Sequence, residues 1–109
     1  MSDDKDPLDL VFMALADKTR RVMIHRLAGK SMVISELTQG LEMSLAAASK
    51  HVKVLEKAKI VQRRIEGRTH TISLVPERLG IALDWVSIYR NFWSSRMDAL
   101  AKSLESNQQ

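Results

Sequence analysis

A chain of 109 residues, 45% hydrophobic and 28% charged, has the size and composition of one globular domain around a single modest core. It contains no cysteine, which excludes a disulfide framework, a thiolate metal site, a cysteine nucleophile and a thiol redox switch. The formal net charge of +4 is unevenly spread: Lys50, Lys53, Lys57, Lys59, Arg63, Arg64 and Arg68 stand against Glu56 and Glu66 alone in one stretch, as expected of a surface that meets polyphosphate.

Residues 1–6 are acidic where a signal peptide would be basic, and no apolar run approaches the roughly 18 residues of a membrane span. A soluble, cytoplasmic protein with a flexible acidic start and no membrane partner is expected. Pro7 after Asp6 suits a capped helix start, and Leu8, Val11, Phe12 and Leu15 recur at helical spacing, which predicts a helix over Pro7–Ala16. Asp17 can cap a second helix, Lys18–Ala28, with Met23, Ile24 and Leu27 on its buried face and Gly29 closing it. Met32-Val33-Ile34 reads as one small strand, followed by a short helix at Ser35–Gln39 that Gly40 terminates.

Ser44 caps the next predicted helix, which follows after a very short turn, runs to Ala58 and carries Ala48, Val52 and Leu55 on one face. From Ile60 the period changes: Val61, Arg63 and Ile65, then Thr69, Thr71 and Ser73, alternate around Glu66-Gly67-Arg68, predicting a basic β-hairpin with Gly67 at its tip. Pro76 opens a last helical segment in which Leu79, Leu83, Val86, Tyr89, Trp93, Met97, Leu100 and Leu104 recur every three or four residues; Gly80 is a place where it could kink or split. Ser106–Gln109 is expected to fray.

Two short helices, a tight turn and a basic hairpin follow one another in the order of a winged helix-turn-helix, a mainly α fold with a small β-hairpin whose second helix enters a major groove. The composition of the helix after Ser44 suits that task. Ala46 and Ala47 keep its leading edge slim, and Ser49 and Lys50 offer donors near base edges. The domain then covers residues 7–105, with the helix-turn-helix at about 35–58 and the wing at about 60–74.

Four stretches carry a family resemblance: Leu15-Ala16-Asp17-Lys18-Thr19-Arg20-Arg21, Ile34-Ser35-Glu36-Leu37, Ser49-Lys50-His51-Val52-Lys53-Val54-Leu55 and Glu66-Gly67-Arg68. With the aromatic last helix they resemble the arsenic-repressor-like (ArsR) family over about Leu8 to Leu104. The resemblance implies a homodimer that binds a two-fold-related operator in double-stranded DNA near its own promoter, represses, and lets go when a signal arrives, through an effector whose identity the residues do not specify. It assigns Ser44, Ala46, Ala47, Ser49, Lys50, His51 and Lys53 to the reading helix and Arg63, Arg64, Arg68 and Thr69 to the wing, with most weight on Ser49, Lys50 and Arg68. Two departures stand out: Lys18 replaces the family's usual proline, and Lys59 replaces a glycine at the end of the reading helix, where it needs another backbone solution or an unfavourable left-handed one.

Many members sense metals through a Cys-x-Cys pair whose positions correspond to Val33 and Ser35, and others use carboxylates and histidines on the last helix. Here that helix offers Asp84, Asp98 and Glu105 but no histidine, because His25, His51 and His70 all precede it, so no regulatory metal and no cofactor is expected.

Several residues keep a plainer reading beside the functional one. Lys57 and Lys59 suit a solvated helix surface as well as a phosphate contact, and His51 either touches phosphate or packs against the preceding short helix. The stripe Trp85, Tyr89, Phe92, Trp93, Met97 and Leu100 suits a ligand pocket less well than a dimer interface with Leu8, Val11, Phe12 and Leu15, since one small core cannot cover both faces. Residues 7–16 and 76–104 are therefore the expected dimerisation helices. A protein-interaction module whose wing never meets DNA is the competing binding function. An enzyme is disfavoured, as no glycine-rich phosphate loop and no recognisable serine, histidine and acid set is present.

Overall fold

The computed structural model describes residues 6–107. Its elements are α1 (Pro7–Leu15), α2 (Lys18–Leu27), β1 (Met32–Val33), α3 (Ile34–Leu37), α4 (Leu45–Lys57), β2 (Val61–Glu66), β3 (Thr69–Leu74), α5 (Pro76–Ser87) and α6 (Arg90–Asn107). The strands form an antiparallel sheet in the order β1-β3-β2, and the β2–β3 hairpin closes through Gly67 and Arg68 with Glu66 opposite Thr69. This is the expected mainly helical fold with a small winged hairpin.

Side chains set the helix starts as the sequence suggests. The carboxylate of Asp6 accepts from the Leu8 N–H at 2.8 Å, that of Asp17 from Arg20 at 3.1 Å, and the Ser44 hydroxyl from Ala47 at 3.1 Å. Arginines close the helix ends, where the last carbonyls lack intrahelical partners. Arg20 donates to the Met13 and Ala14 carbonyls of α1 at 2.9 Å each, Arg26 to the carbonyls of Leu37, the last residue of α3, and of Gln39 just beyond it, and Arg78 of α5 to Ala58 at the end of α4.

The core draws on every layer: Val11 and Ala14 of α1, Met23 and Leu27 of α2, Leu37 of α3, the α4 face Ala48, Val52 and Leu55, then Ala58, Ile60, Val61, Ile72 and Ala82. Val61 and Ile72, on the inner face of the sheet, lie over the same cluster.

Several expectations are corrected. Val11, expected at a dimer surface, is wholly enclosed within the chain, because α1 packs on both α4 and α5. Gly29 is not a left-handed helix terminator; α2 is capped by Ala28, whose N–H reaches the Ile24 and His25 carbonyls, and the left-handed glycine that follows a helix is Gly40, after α3 (φ +79°). Ile34 begins α3 instead of extending β1. The connection from α3 to α4 runs from Thr38 to Ser44, longer than the very short turn expected. Gly80 lies within α5, and the last segment breaks at Ile88–Tyr89. Of the acidic start expected to be flexible, Asp6 is an ordered cap and residues 1–5 lie outside the described residues. Of the tail expected to fray, Ser106 and Asn107 continue α6, and Gln108 and Gln109 lie outside.

Candidate nucleic-acid interface

With Ala48, Val52 and Leu55 turned into the core, the 100° step of a helix puts Ala46, Lys50, Lys53 and Lys57 on the opposite, exposed face of α4. Its two flanks differ. Leu45, Ser49 and Glu56 look toward the wing, while His51 looks toward the α1–α2 corner. An open groove of about 510 Å³ separates α4 from the wing; Leu45 and Ser49 of α4 and Arg63, Arg68, Thr69 and His70 of the wing line it, together with Val33, Ile34 and Ser35. Val33 and Ser35, which match the cysteine pair of metal-sensing members, thus both line this groove.

Of the expected reading-helix residues, Ser44, Ala46, Lys50 and Lys53 are exposed, and Ala47, Ser49 and His51 are half-buried. In the wing Arg64, Arg68 and Thr69 are exposed; Arg64 Nε lies 3.4 Å from Glu66 Oε1, and Gly67 turns the tip at φ +62°. Arg63 is placed differently. Half-buried, it grips the Glu56 carboxylate with Nε at 3.1 Å and Nη2 at 2.6 Å, and its Nη1 lies 2.9 Å from His70 Nδ1. It braces the wing against α4. Sequence reading missed Glu56 as its partner, since a helix residue and a strand residue meet only through the tertiary fold.

His51 meets the start of α2. Its Nδ1 is 3.0 Å from Arg20 Nη1 and 3.9 Å from Asp17 Oδ1. The Asp17 carboxyl is held below its ordinary value of 3.8, chiefly by the Arg20 backbone N–H it accepts; burial opposes this, and the neighbouring His51 and Arg20 charges add to it. Arg20 lies in one of the stretches that carry the family resemblance, yet no spacing rule points from it to α4.

The second exposed feature is apolar. Phe12 of α1 meets Trp85 of α5 edge-on at 5.9 Å, and Trp85 meets Tyr89 at 5.5 Å. Beyond them every residue from Arg90 to Glu105 is exposed, including Phe92, Trp93, Met97, Leu100 and Leu104, each more than half so. Leu8 and Leu15 are half-buried, whereas Met13, Ile88 and Leu104, absent from the expected interface, are exposed apolar residues alongside it. None of the described helices is long and apolar enough to cross a membrane.

A helix-turn-helix domain family matches residues 15–64. The chain is 35% identical to the HTH-type transcriptional regulator Rv2034 of Mycobacterium tuberculosis over 97% of this chain and 95% of that one. It is 26% identical to the transcriptional repressor SdpR of Bacillus subtilis over 74% of this chain and 90% of the relative. Among solved structures, an ArsR family transcriptional regulator superposes with a TM-score of 0.77 at 29% identity, covering 82% of this chain and 98% of the other. An ArsR-like transcriptional regulator from Rhodococcus does so at 0.68 and 25%, covering 88% and 91%. These relatives are regulators of transcription, not enzymes.

Proposed function

The chain belongs to the ArsR family of helix-turn-helix transcriptional regulators, and from that premise we propose that it acts as a homodimeric repressor, with α4 in the DNA major groove and the β2–β3 wing on the backbone or in the minor groove beside it. The observation that carries this reading is the pairing of an exposed, slim and basic α4 face with an exposed arginine-bearing wing tip across one groove.

Each residue then has a task set by its chemistry. Ala46 and Ala47 let the helix backbone approach, and Ser49 and Lys50 donate to base edges. Lys53, Arg64, Arg68 and Thr69 hold phosphates, and the Ser44 hydroxyl, whose oxygen already caps α4, keeps its proton for one. Arg63 braces the wing and touches no phosphate.

The exposed stripe of α6, continued by Tyr89, Trp85 and Phe12, supports the dimer, because a second copy related by a two-fold axis buries the same stripe on both chains. Such a dimer presents two α4 helices about one DNA turn, roughly 34 Å, apart. The repressing sense is supported by the relative named as a transcriptional repressor. Val33 and Ser35 supply no thiolate, so the releasing signal is not a metal held at those positions.

A gel shift with the DNA upstream of its own gene tests this reading. A discrete complex is expected that unrelated duplex does not compete away and that weakens steeply as salt rises, as counterions return to the phosphates. Absence of any complex at low salt overturns the reading in favour of a protein-interaction module.

A further inference from the structure

Resting on the DNA-reading role of α4, we propose that Arg20 is a positioning residue: it holds His51 with its ring proton on Nε2 and so presents that N–H as a donor to a phosphate of the bound DNA. Arginine has only donor N–H groups and keeps its charge throughout the working pH range. With Arg20 Nη1 at 3.0 Å, His51 Nδ1 must supply a lone pair, and the proton of the neutral ring is then on Nε2. Asp17 Oδ1, at 3.9 Å from Nδ1, is too far to accept a hydrogen bond that would draw the proton to that side.

The guanidinium cannot turn away easily. Its Nε and Nη2 are held by the Ala14 and Met13 carbonyls at the end of α1, so the group that orients His51 is anchored by a different helix. Among the described residues His51 Nε2 has no hydrogen-bond partner, and it is not an enclosed unsatisfied atom either, so it opens to solvent. His51 adjoins Lys50 on the flank of α4 away from the wing. A donor there adds a backbone contact on the side the wing does not cover. The same guanidinium closes α1, which packs on α5, so the seat of the reading helix is continuous with the α1–α5 unit.

The test separates the two ring nitrogens. H51N keeps an acceptor near the Nδ1 position and loses the outward donor; H51Q keeps a donor near the Nε2 position and loses the acceptor. In the full chain H51N is expected to weaken operator binding about tenfold, with the melting temperature and oligomeric state unchanged, and H51Q by no more than about threefold. Long-range proton–nitrogen spectra of the wild-type imidazole are expected to show Nε2 protonated, and R20M to abolish that single tautomer. R20M is also expected to weaken operator binding in the wild-type background and to add little in H51N. Because R20M also uncaps α1, the two His51 variants, which leave α1 untouched, keep the test decisive if R20M does not fold. A protonated Nδ1 in the wild type, H51N binding as tightly as wild type, or additive R20M and H51N losses overturns the assignment alone. A wild type that binds no duplex overturns the DNA reading, and the donor role with it.

Discussion

Lys59 shows how one side chain can sit against its backbone. It occupies a left-handed conformation (φ +62°) just past α4, where its N–H reaches the Glu56 carbonyl at 2.9 Å and the next N–H, of Ile60, reaches Leu55 at 3.0 Å. This is the Schellman pattern, and it persists with a lysine because Ile60 and Leu55 are both fully buried and hold the chain in place. The Cβ there costs about 1 kcal/mol. Lys59→Gly should therefore raise stability by up to about that amount and the melting temperature by several degrees; an unchanged or lower melting temperature would show the lysine unstrained. Asp17 makes a second prediction at this scale. Its depressed folded-state pKa means that its contribution is present above the ordinary value of 3.8 and is lost as the pH falls below it. The stability advantage of wild type over Asp17→Asn should thus be full at neutral pH and shrink below about pH 4 in acid titrations of unfolding.

At the scale of the element, α4 is organised as four sides with different duties: a core face, a wing flank braced by Arg63 and Glu56, a flank seated on Arg20, and an outer face of small and basic residues. The helix is held at its end as well, by Arg78 of α5 on the Ala58 carbonyl. A helix gripped this way can read bases with little conformational freedom left to lose. Lys50→Ala should weaken operator binding and relax base preference at one position by about 1–3 kcal/mol, while Arg68→Ala, at the wing tip, should weaken binding to all sequences alike and lower the salt dependence. Binding measured against a panel of single-base operator variants distinguishes the two. A uniform loss from both would remove Lys50 from base reading.

The whole molecule is elongated. Its radius of gyration is 18.5 Å and its extents are 65 × 37 × 22 Å, against about 13 Å expected of a compact chain of this length. The excess is α6, an arm with an apolar stripe that meets water on all sides in a single chain. In the proposed dimer a second copy would cover that stripe and at the same time space the two α4 helices, which would make assembly and recognition one requirement. Trp93→Ala should convert dimers to monomers in sedimentation and reduce operator binding toward the non-specific level. A variant that remains fully dimeric would move the interface away from α6.

Much of this was readable from the residues in order. The caps Asp6, Asp17 and Ser44, the buried face Ala48, Val52 and Leu55, and the alternation around Gly67 are local signals, set within a few residues by hydrogen-bonding reach and by the helix and strand periods. They suffice to name the fold and to place the helix that Ser44 and Ala58 cap. What they could not reveal are the meetings of residues far apart in the chain. Val11 looks like interface on a helical wheel but is enclosed, because α1 is sandwiched between α4 and α5. Arg63 reads as one more wing cation and is a brace, and Arg20 reads as a motif letter and is the seat of His51. Local sequence decides which groups a short stretch can satisfy for itself; which distant partner satisfies the rest depends on how the packed helices bring those groups together.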